Sequence, residues 1–242
     1  MSDRLRRAFA DTPCTPGERL ALDPDESRHV ARVLRLRAGD ELAVFDGSGG
    51  EWSAVVQEIE RERVTIVIGE TRPGSPEPPL EITLFQAIVR PERVEWVLQK
   101  GTEIGVHRFV LMETERSEAP VPSPGRMDRY DRIVIEAAKQ SGRRVVPEIS
   151  LTKSWHERTT GTALLLDTSP EAEPLSRALL RDAPVRTEIA AGPEGGFTPG
   201  EVEGAVAHGW RRVSLGPRIL RTETAGVIAA AIVLHAWGDL GR

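Results

Sequence analysis

The run LGPRILRTETA, from Leu215 to Ala225, sets Arg218, Arg221 and Glu223 close behind a Gly216-Pro217 turn. Guanidinium and carboxylate groups that converge on a pocket stabilise developing charge and accept protons. A second run, IAAGPEGGFTPG from Ile189 to Gly200, puts glycines where backbone can approach a ligand that a side chain would exclude. Alone, GPEGG reads more readily as an ordinary tight turn than as a ligand loop, since it is neither a GxGxxG fingerprint nor a P-loop. Together the runs carry more weight. Each leaves a buried strand and enters a helix, which predicts one crevice with backbone walls, an apolar floor from Ile219 and Leu220, and charge from Arg218, Arg221 and Glu223.

Other polar groups are less pointed. Lys100 and Glu103 stand at i,i+3, a spacing that more often makes a surface ion pair than a catalytic dyad. Glu136 and Gln140, at i,i+4 ahead of Ser141-Gly142-Arg143-Arg144, suit a helix end and a substrate face equally. His29, His107, His156, His208 and His235 show no ligand spacing, Cys14 has no disulfide partner, and no metal is expected. No serine or cysteine triad is suggested.

The elements that position these residues fall on either side of TRPGSPEPPL, Thr71 to Leu80, whose prolines favour an extended connection. Upstream, Glu18 to Leu22, Glu41 to Phe45, Trp52 to Ile59 and Val64 to Ile68 predict a small β-barrel. One helix, Glu26 to Leu36, is capped by Asp25 or Asp23. Its wheel sets Arg28, Arg32 and Arg35 opposite Val30, Val33 and Leu34, a solvated face or a phosphate contact. Downstream, strands and helices alternate: Ile82 to Val89, Pro91 to Ile104, Phe109 to Met112, Arg126 to Ser141, Val145 to Ile149, Ala163 to Asp167, Leu175 to Leu180, Val185 to Ala191, Thr198 to His208, Arg212 to Leu215 and Thr222 to Trp237. That alternation predicts a mostly parallel sheet with helices on both faces.

Bulk properties agree with an enzyme of one large and one small domain. The 242 residues are 39% hydrophobic, against a prior of about one domain per 150 residues. The N-terminal arginines precede no apolar run, and no segment approaches the roughly 18 apolar residues of a membrane span, so a cytoplasmic location is expected. A net charge of -5 argues mildly against nucleic acid unless local patches override it.

Five segments, RHVARVLRLRAGDELAVFDGSGGEW, VEWVLQKGTEIGVHRFVLMETERSE, IVIEAAKQSGRRVVPEI, AAGPEGGFTPGEVE and LGPRILRTETA, together resemble the bacterial small-subunit (16S) rRNA uracil-N3 methyltransferase family, and the likeness spans nearly the whole chain. The resemblance implies a SPOUT-type, trefoil-knotted α/β domain over residues 75–242, a PUA-like RNA-binding barrel over 1–74, and a homodimer. It implies S-adenosyl-L-methionine as cofactor, wrapped by Ala191, Gly192, Pro193, Glu194, Gly195, Gly196, Leu215, Gly216, Ile219, Leu220, Arg221, Thr224 and Ala225, with Leu166 and Thr168 bordering it. For ribosomal RNA or the small subunit as partner, the local charges are Arg28, Arg32, Arg35, Arg90, Lys100, Arg116, Arg143 and Arg144.

In such a reaction N3 of uridine must lose a proton. Glu103, Glu136, Glu194 and Glu223 are then the possible acceptors, and Arg221 or Arg143 would steady charge on the uracil carbonyls. Competing readings are a SPOUT enzyme with another RNA target and a non-catalytic RNA-binding assembly protein.

Overall fold

Alternating apolar residues commit the N-terminal part of the chain to a sheet. The structure, a computed structural model, describes residues 6–61, 63–74, 77–156 and 161–241; residues 1–5 of the N-terminal segment and Ser75-Pro76 of the proline-rich connection lie outside them. Two compact units are present, Met1–Glu77 with Ala138–Val146, and Pro78–Ala137 with Pro147–Arg242.

In the first unit, β1 (Arg7–Phe9), β2 (Arg19–Ala21), β3 (Glu41–Phe45), β4 (Glu51–Glu60) and β5 (Arg63–Thr71) form a sheet of order β1-β3-β4-β5-β2. Only the β1–β3 pair is parallel among these ladders. Val64, Ile66 and Ile68 of β5 point inward with Leu42, Val44, Ala54 and Val56, the period of two that a half-buried strand requires. Cys14 lies in the same core, where burial, with Asp46 and Glu18 nearby, pushes its thiol up to about 12.

Helix α1 (Pro24–Arg28) begins two residues earlier than predicted, because the Asp23 carboxylate accepts from the Asp25 and Glu26 amides and Pro24 presets the first position. From His29 to Val33 the helix widens to a π turn, with the Leu34 amide donating to the His29 carbonyl at 2.9 Å. The wider turn corrects the predicted wheel. Val30 stays fully buried while Val33 is 67% exposed, so Val33 does not belong to the apolar face. Arg28, Arg32 and Arg35 are exposed, and Arg35 ends the helix early at a φ of 54°.

The returning segment Ala138–Val146 belongs to this unit through charges. Arg7 donates to the carbonyls of Ala138 and Lys139 (both 2.9 Å) and Arg143 (2.7 Å), pairs with Glu51 at 2.8 Å, and stacks 4.4 Å from the Phe45 ring centre. Lys139 meets Glu26 at 2.7 Å with both side chains almost completely buried. Burial pushes the Glu26 carboxyl up, against the pull of Lys139.

In the second unit, β6 (Glu81–Ala87), β7 (Arg108–Met112), β8 (Glu148–Thr152), β9 (Thr162–Leu166), β10 (Glu173–Pro174), β11 (Arg186–Ala191) and β12 (Arg211–Ser214) form a parallel sheet of order β10-β12-β9-β11-β6-β7-β8. Around it run α2 (Pro91–Ile104), α3 (Pro124–Ser141), α4 (Leu175–Ala178), α5 (Pro199–Ala207) and α6 (Thr222–Trp237). Phe85, Ala163, Leu165 and Ala190 pack with Ala205 of α5 on one face. On the other, α6 lies so close that a Cβ at Gly226 would stand 3.1 Å from Leu84 and 3.3 Å from Gln86. The predicted strand Val145 to Ile149 is displaced to β8. Val145 bridges Ser48, Val146 donates to the Gly47 carbonyl, and Pro147 has no N–H for a ladder.

Lys139→Met should leave Glu26 as an uncompensated buried acid and lower the unfolding free energy by about 3–5 kcal/mol. Chemical denaturation measures this, and the Glu26→Gln/Lys139→Met double variant is expected to recover most of the loss. An equal loss in both variants would contradict a role for the ion pair.

Candidate functional site

Strands β12, β9 and β11 lie side by side and run the same way, so their carboxyl ends reach one edge together. The crevice is therefore built at three strand ends, not two: β9 stands between the strands that carry the two glycine loops. A cavity of about 640 Å³ opens there, within the range that holds a cofactor-sized ligand. Its walls are Leu166 to Thr168 after β9, Ala191 to Phe197 after β11, and Val213 to Gly216 with Arg218 to Thr222 after β12; Val202, Ala225, Arg93 and Arg116 complete it.

Local sequence explains the loop shapes. Gly196 (φ 67°) and Gly216 (φ 108°) adopt left-handed backbone that a Cβ would strain. After Gly196, Thr198 and Glu201 form a reciprocal capping box that starts α5, and the second Glu201 oxygen accepts from the Glu115 amide at 3.0 Å. Phe197 packs 4.8 Å from Trp155, and Arg116 donates to the carbonyls of Gly195 (2.7 Å) and Phe197 (3.3 Å). The loops are stitched together at Thr222, whose hydroxyl donates to the Gly192 carbonyl and accepts from the buried Gln86 amide at 2.9 Å.

Charge enters the cavity in paired form. Asp167 accepts from the Ser169 amide (3.0 Å) and hydroxyl (2.9 Å) and from Arg212 (2.7 Å). Burial raises its pKa, but these donors outweigh burial and hold the carboxyl below the usual range. Arg93, on the first turn of α2, bonds Glu194 of the first loop and stands 3.8 Å from Glu223 at the start of α6. The facing Glu223 oxygen, Oε2, is buried and makes no hydrogen bond.

Most residues predicted for the cofactor meet here: Leu166, Thr168, Ala191, Gly192, Pro193, Glu194, Gly195, Gly196, Leu215, Gly216, Ile219, Leu220, Arg221 and Ala225 all line the cavity. Thr224 does not, its amide bonding the Arg221 carbonyl in the first turn of α6, and neither does Glu223, expected to supply charge to the crevice, whose Oε2 is buried. Ile219 is 85% exposed, at the rim rather than the predicted floor. Arg93, Asp167, Phe197 and Gln86 escaped the sequence reading, and Thr222 lay inside the Leu215 to Ala225 run without being singled out; only the position of Asp167 just past a strand end offered a signal.

The predicted charges are dispersed. Arg116 serves the glycine loop, Lys100 pairs with Glu103 at 2.8 Å, and Arg143 is buried against Glu77 at 2.9 Å. Arg144 is half-buried with its amide on Glu77, Arg90 is exposed at the N-cap of α2, and Arg28 pairs with Asp25. Glu136 is exposed on α3, outside the cavity lining. Among the described residues, no group of three or more His, Cys, Asp or Glu could hold a metal ion, and no helix is long and apolar enough to cross a membrane.

A ligand cavity at the carboxyl ends of parallel strands, walled by two glycine loops, defines the second unit as an α/β ligand-binding domain. Residues 76–234 match the RNA methyltransferase domain family, and residues 22–69 match the RNA methyltransferase PUA domain. The chain belongs to this RNA methyltransferase family. It is 35% identical over 219 residues to a ribosomal RNA small subunit methyltransferase E of Synechocystis sp., covering 88% of this chain and 71% of that protein. Among solved structures, a putative methyltransferase of Legionella pneumophila in complex with the cofactor SAM superimposes with a TM-score of 0.91 at 32% identity, covering 98% of this chain and 100% of the other. A ribosomal RNA small subunit methyltransferase E of Neisseria gonorrhoeae bound to S-adenosyl methionine gives 0.89 at 32% identity, covering 97% and 99%.

Thr222→Val removes the stitch while keeping the side-chain shape, leaving Gln86 and the Gly192 carbonyl short of a partner. It is expected to cost about 1–3 kcal/mol in denaturant unfolding; unchanged stability would contradict the stitch.

Proposed function

We propose that this chain is an S-adenosylmethionine-dependent methyltransferase acting on N3 of a uridine in small-subunit (16S) ribosomal RNA. The observation that carries the reading is the three-strand cavity, on a fold whose solved relatives hold that cofactor. The residues present fit it. Backbone amides and carbonyls from Gly192 to Gly196 suit the adenine edge, Leu215 and Leu220 its faces, and the ionised Asp167 a hydroxyl or ammonium donor. Bound there, the cofactor supplies a methyl group on positively charged sulfur.

The chain must then present N3 as a nucleophile. That imide nitrogen lies on the Watson–Crick edge and carries a proton, so the base has to be unpaired or flipped, and the proton has to go. Among the candidate acceptors, Glu223 is favoured. Both oxygens of Glu103 are engaged by Lys100 and Glu194 is bonded by Arg93; Glu136 and Glu223 both lie outside the cavity lining, but Glu223 directly follows the lining residue Thr222 in the chain and keeps a buried oxygen without a donor. Arg221, exposed at the N-cap of α6 and on the cavity wall, is suited to steady charge on a uracil carbonyl. Exposed Arg28, Arg32, Arg35 and Arg90 are suited to the RNA backbone.

The same reading includes the trefoil knot of the SPOUT superfamily, a cytoplasmic location and a homodimer. Supporting the dimer, Trp96 of α2 and Ile228 and Ile232 of α6 are each about 40% exposed on two helices that pack together. Ile232→Asp is expected to yield monomers in sedimentation equilibrium; an unchanged dimer would contradict this interface.

Incubation with labelled cofactor and intact or protein-free small-subunit RNA, followed by nucleoside analysis, should give 3-methyluridine; label in another nucleoside would overturn the assignment. Glu223→Gln should lower single-turnover methylation by about 100-fold or more while leaving cofactor affinity within a few-fold. A rate near the parent's would remove Glu223 from the chemistry.

A further inference from the structure

Left-handed backbone presses Cβ against the following carbonyl, a cost that glycine escapes. Among the described residues every position with such backbone is a glycine except two, and both are arginines of the first unit: Arg35 at a φ of 54° and Arg61 at 53°. Arg35 closes the helix that starts at Pro24. The Leu34 amide donates to the His29 carbonyl at 2.9 Å and the Leu36 amide to the Val30 carbonyl at 3.1 Å, an ending in which the left-handed place ordinarily goes to glycine. Arg61 turns the β4–β5 hairpin. Glu60 stands opposite Arg63 on the last rung, and Arg61 takes the first turn position, where tight hairpins favour Gly, Asn or Asp.

The fold gains nothing from either side chain. Both are exposed, and among the described residues neither makes a hydrogen bond or an ion pair. Other arginines of the same unit, Arg7, Arg28 and Arg143, each meet a carboxylate. An exposed guanidinium with no acid bound to it keeps its charge and its fork of donors for a phosphate. Arg61 also lines a recess of about 980 Å³, with Ala21, Leu22, Pro24, Ser27, Glu60 and Arg63, that is large enough to admit a nucleotide. Both arginines are tied to β4: the Gly39 amide, four residues after Arg35, donates to the Val56 carbonyl at 2.8 Å, and Arg61 follows Val56 by five. At about 3.3 Å per residue these attachments lie roughly 17 Å apart, a distance that a few consecutive phosphates of one strand span.

We propose that Arg35 and Arg61 form a contact surface of the first unit for the sugar–phosphate backbone of RNA. Each is kept in left-handed backbone, where glycine would fold more easily, because its guanidinium binds a phosphate. The inference rests on the reading of small-subunit RNA as substrate. Contact of this kind is independent of base sequence, and it holds the RNA without reading its bases.

The test compares Arg35→Gly, Arg61→Gly, the double variant and Arg19→Gln, which removes a charge from β2 of the same unit. Three measurements are made on each: binding of protein-free small-subunit RNA over a range of salt concentrations, chemical denaturation, and calorimetric titration with S-adenosylmethionine. Each glycine variant should weaken RNA binding about 5-fold at about 0.1 M salt, and the slope of log affinity against log salt should shrink by about 0.7–0.9 per arginine. The double variant should lose about 25-fold. Denaturation midpoints should stay level or rise, since glycine relieves the backbone, and cofactor Kd should stay within about 2-fold of the parent's. Arg19→Gln should bind RNA within about 2-fold of the parent. A double variant that binds RNA as the parent does, while the parent binds and methylates it, would overturn the inference and leave the substrate reading standing. So would a loss in Arg19→Gln as large as in the glycine variants, or a lowered midpoint or cofactor affinity, which would give the arginines a structural role. A parent that neither binds nor methylates small-subunit RNA would sink the substrate reading and this inference with it.

Discussion

The parallel pairing of β9 with β11 on one side and β12 on the other is the constraint from which the site follows. Ala190 stands opposite Leu165, and Val213 opposite Leu166, so the three strands stop at one level. Parallel strands must leave their sheet by turning into helices, and the backbone groups of the turns are freed from the ladder at that edge. Two of those turns, after β11 and β12, are glycine loops that contain the left-handed residues Gly196 and Gly216. The cavity is what lies beneath them.

A cavity walled by mobile loops would bind poorly, and the structure answers this with polar ties of different depth. Gln86, fully buried on β6, reaches Thr222 and through it Gly192, coupling the strand, the second loop and the first loop. Nearer the surface, Arg116 holds the first loop by its carbonyls, and Arg212 holds Asp167. Each tie satisfies groups that burial would otherwise leave unpaired, and rigidity at the site is the consequence. In the first unit, Arg7 and Lys139 do equivalent work, drawing the carbonyls and charge of a distant helix end onto a small sheet.

Much of the architecture was legible because it depends on period and on local breaks. Pro91 to Ile104 was read to the residue, since Pro91 fixes its start and Gly105, at a φ of 108°, its end. The loop motifs announced the cavity by composition. What the sequence hid is long-range. No local pattern tells that β9 intervenes between β11 and β12, that Val145 and Val146 pair with Gly47 and Ser48 rather than open β8, or that Arg143 is spent on Glu77. Arg93 was invisible for the same reason, because an arginine on a helix turn acquires meaning only through Glu194 and Glu223, which lie far along the chain. The π turn after Arg28 is a subtler case, in which one local hydrogen-bond shift undoes an otherwise sound wheel for Val33.

The claim that three strand ends form the methyl-donor site is tested most directly by hydrogen exchange with and without S-adenosylmethionine. Added cofactor should slow exchange in Leu166 to Thr168, Gly192 to Phe197 and Ser214 to Thr222 together, with the first unit little changed. Protection confined to one loop, or centred elsewhere, would contradict it.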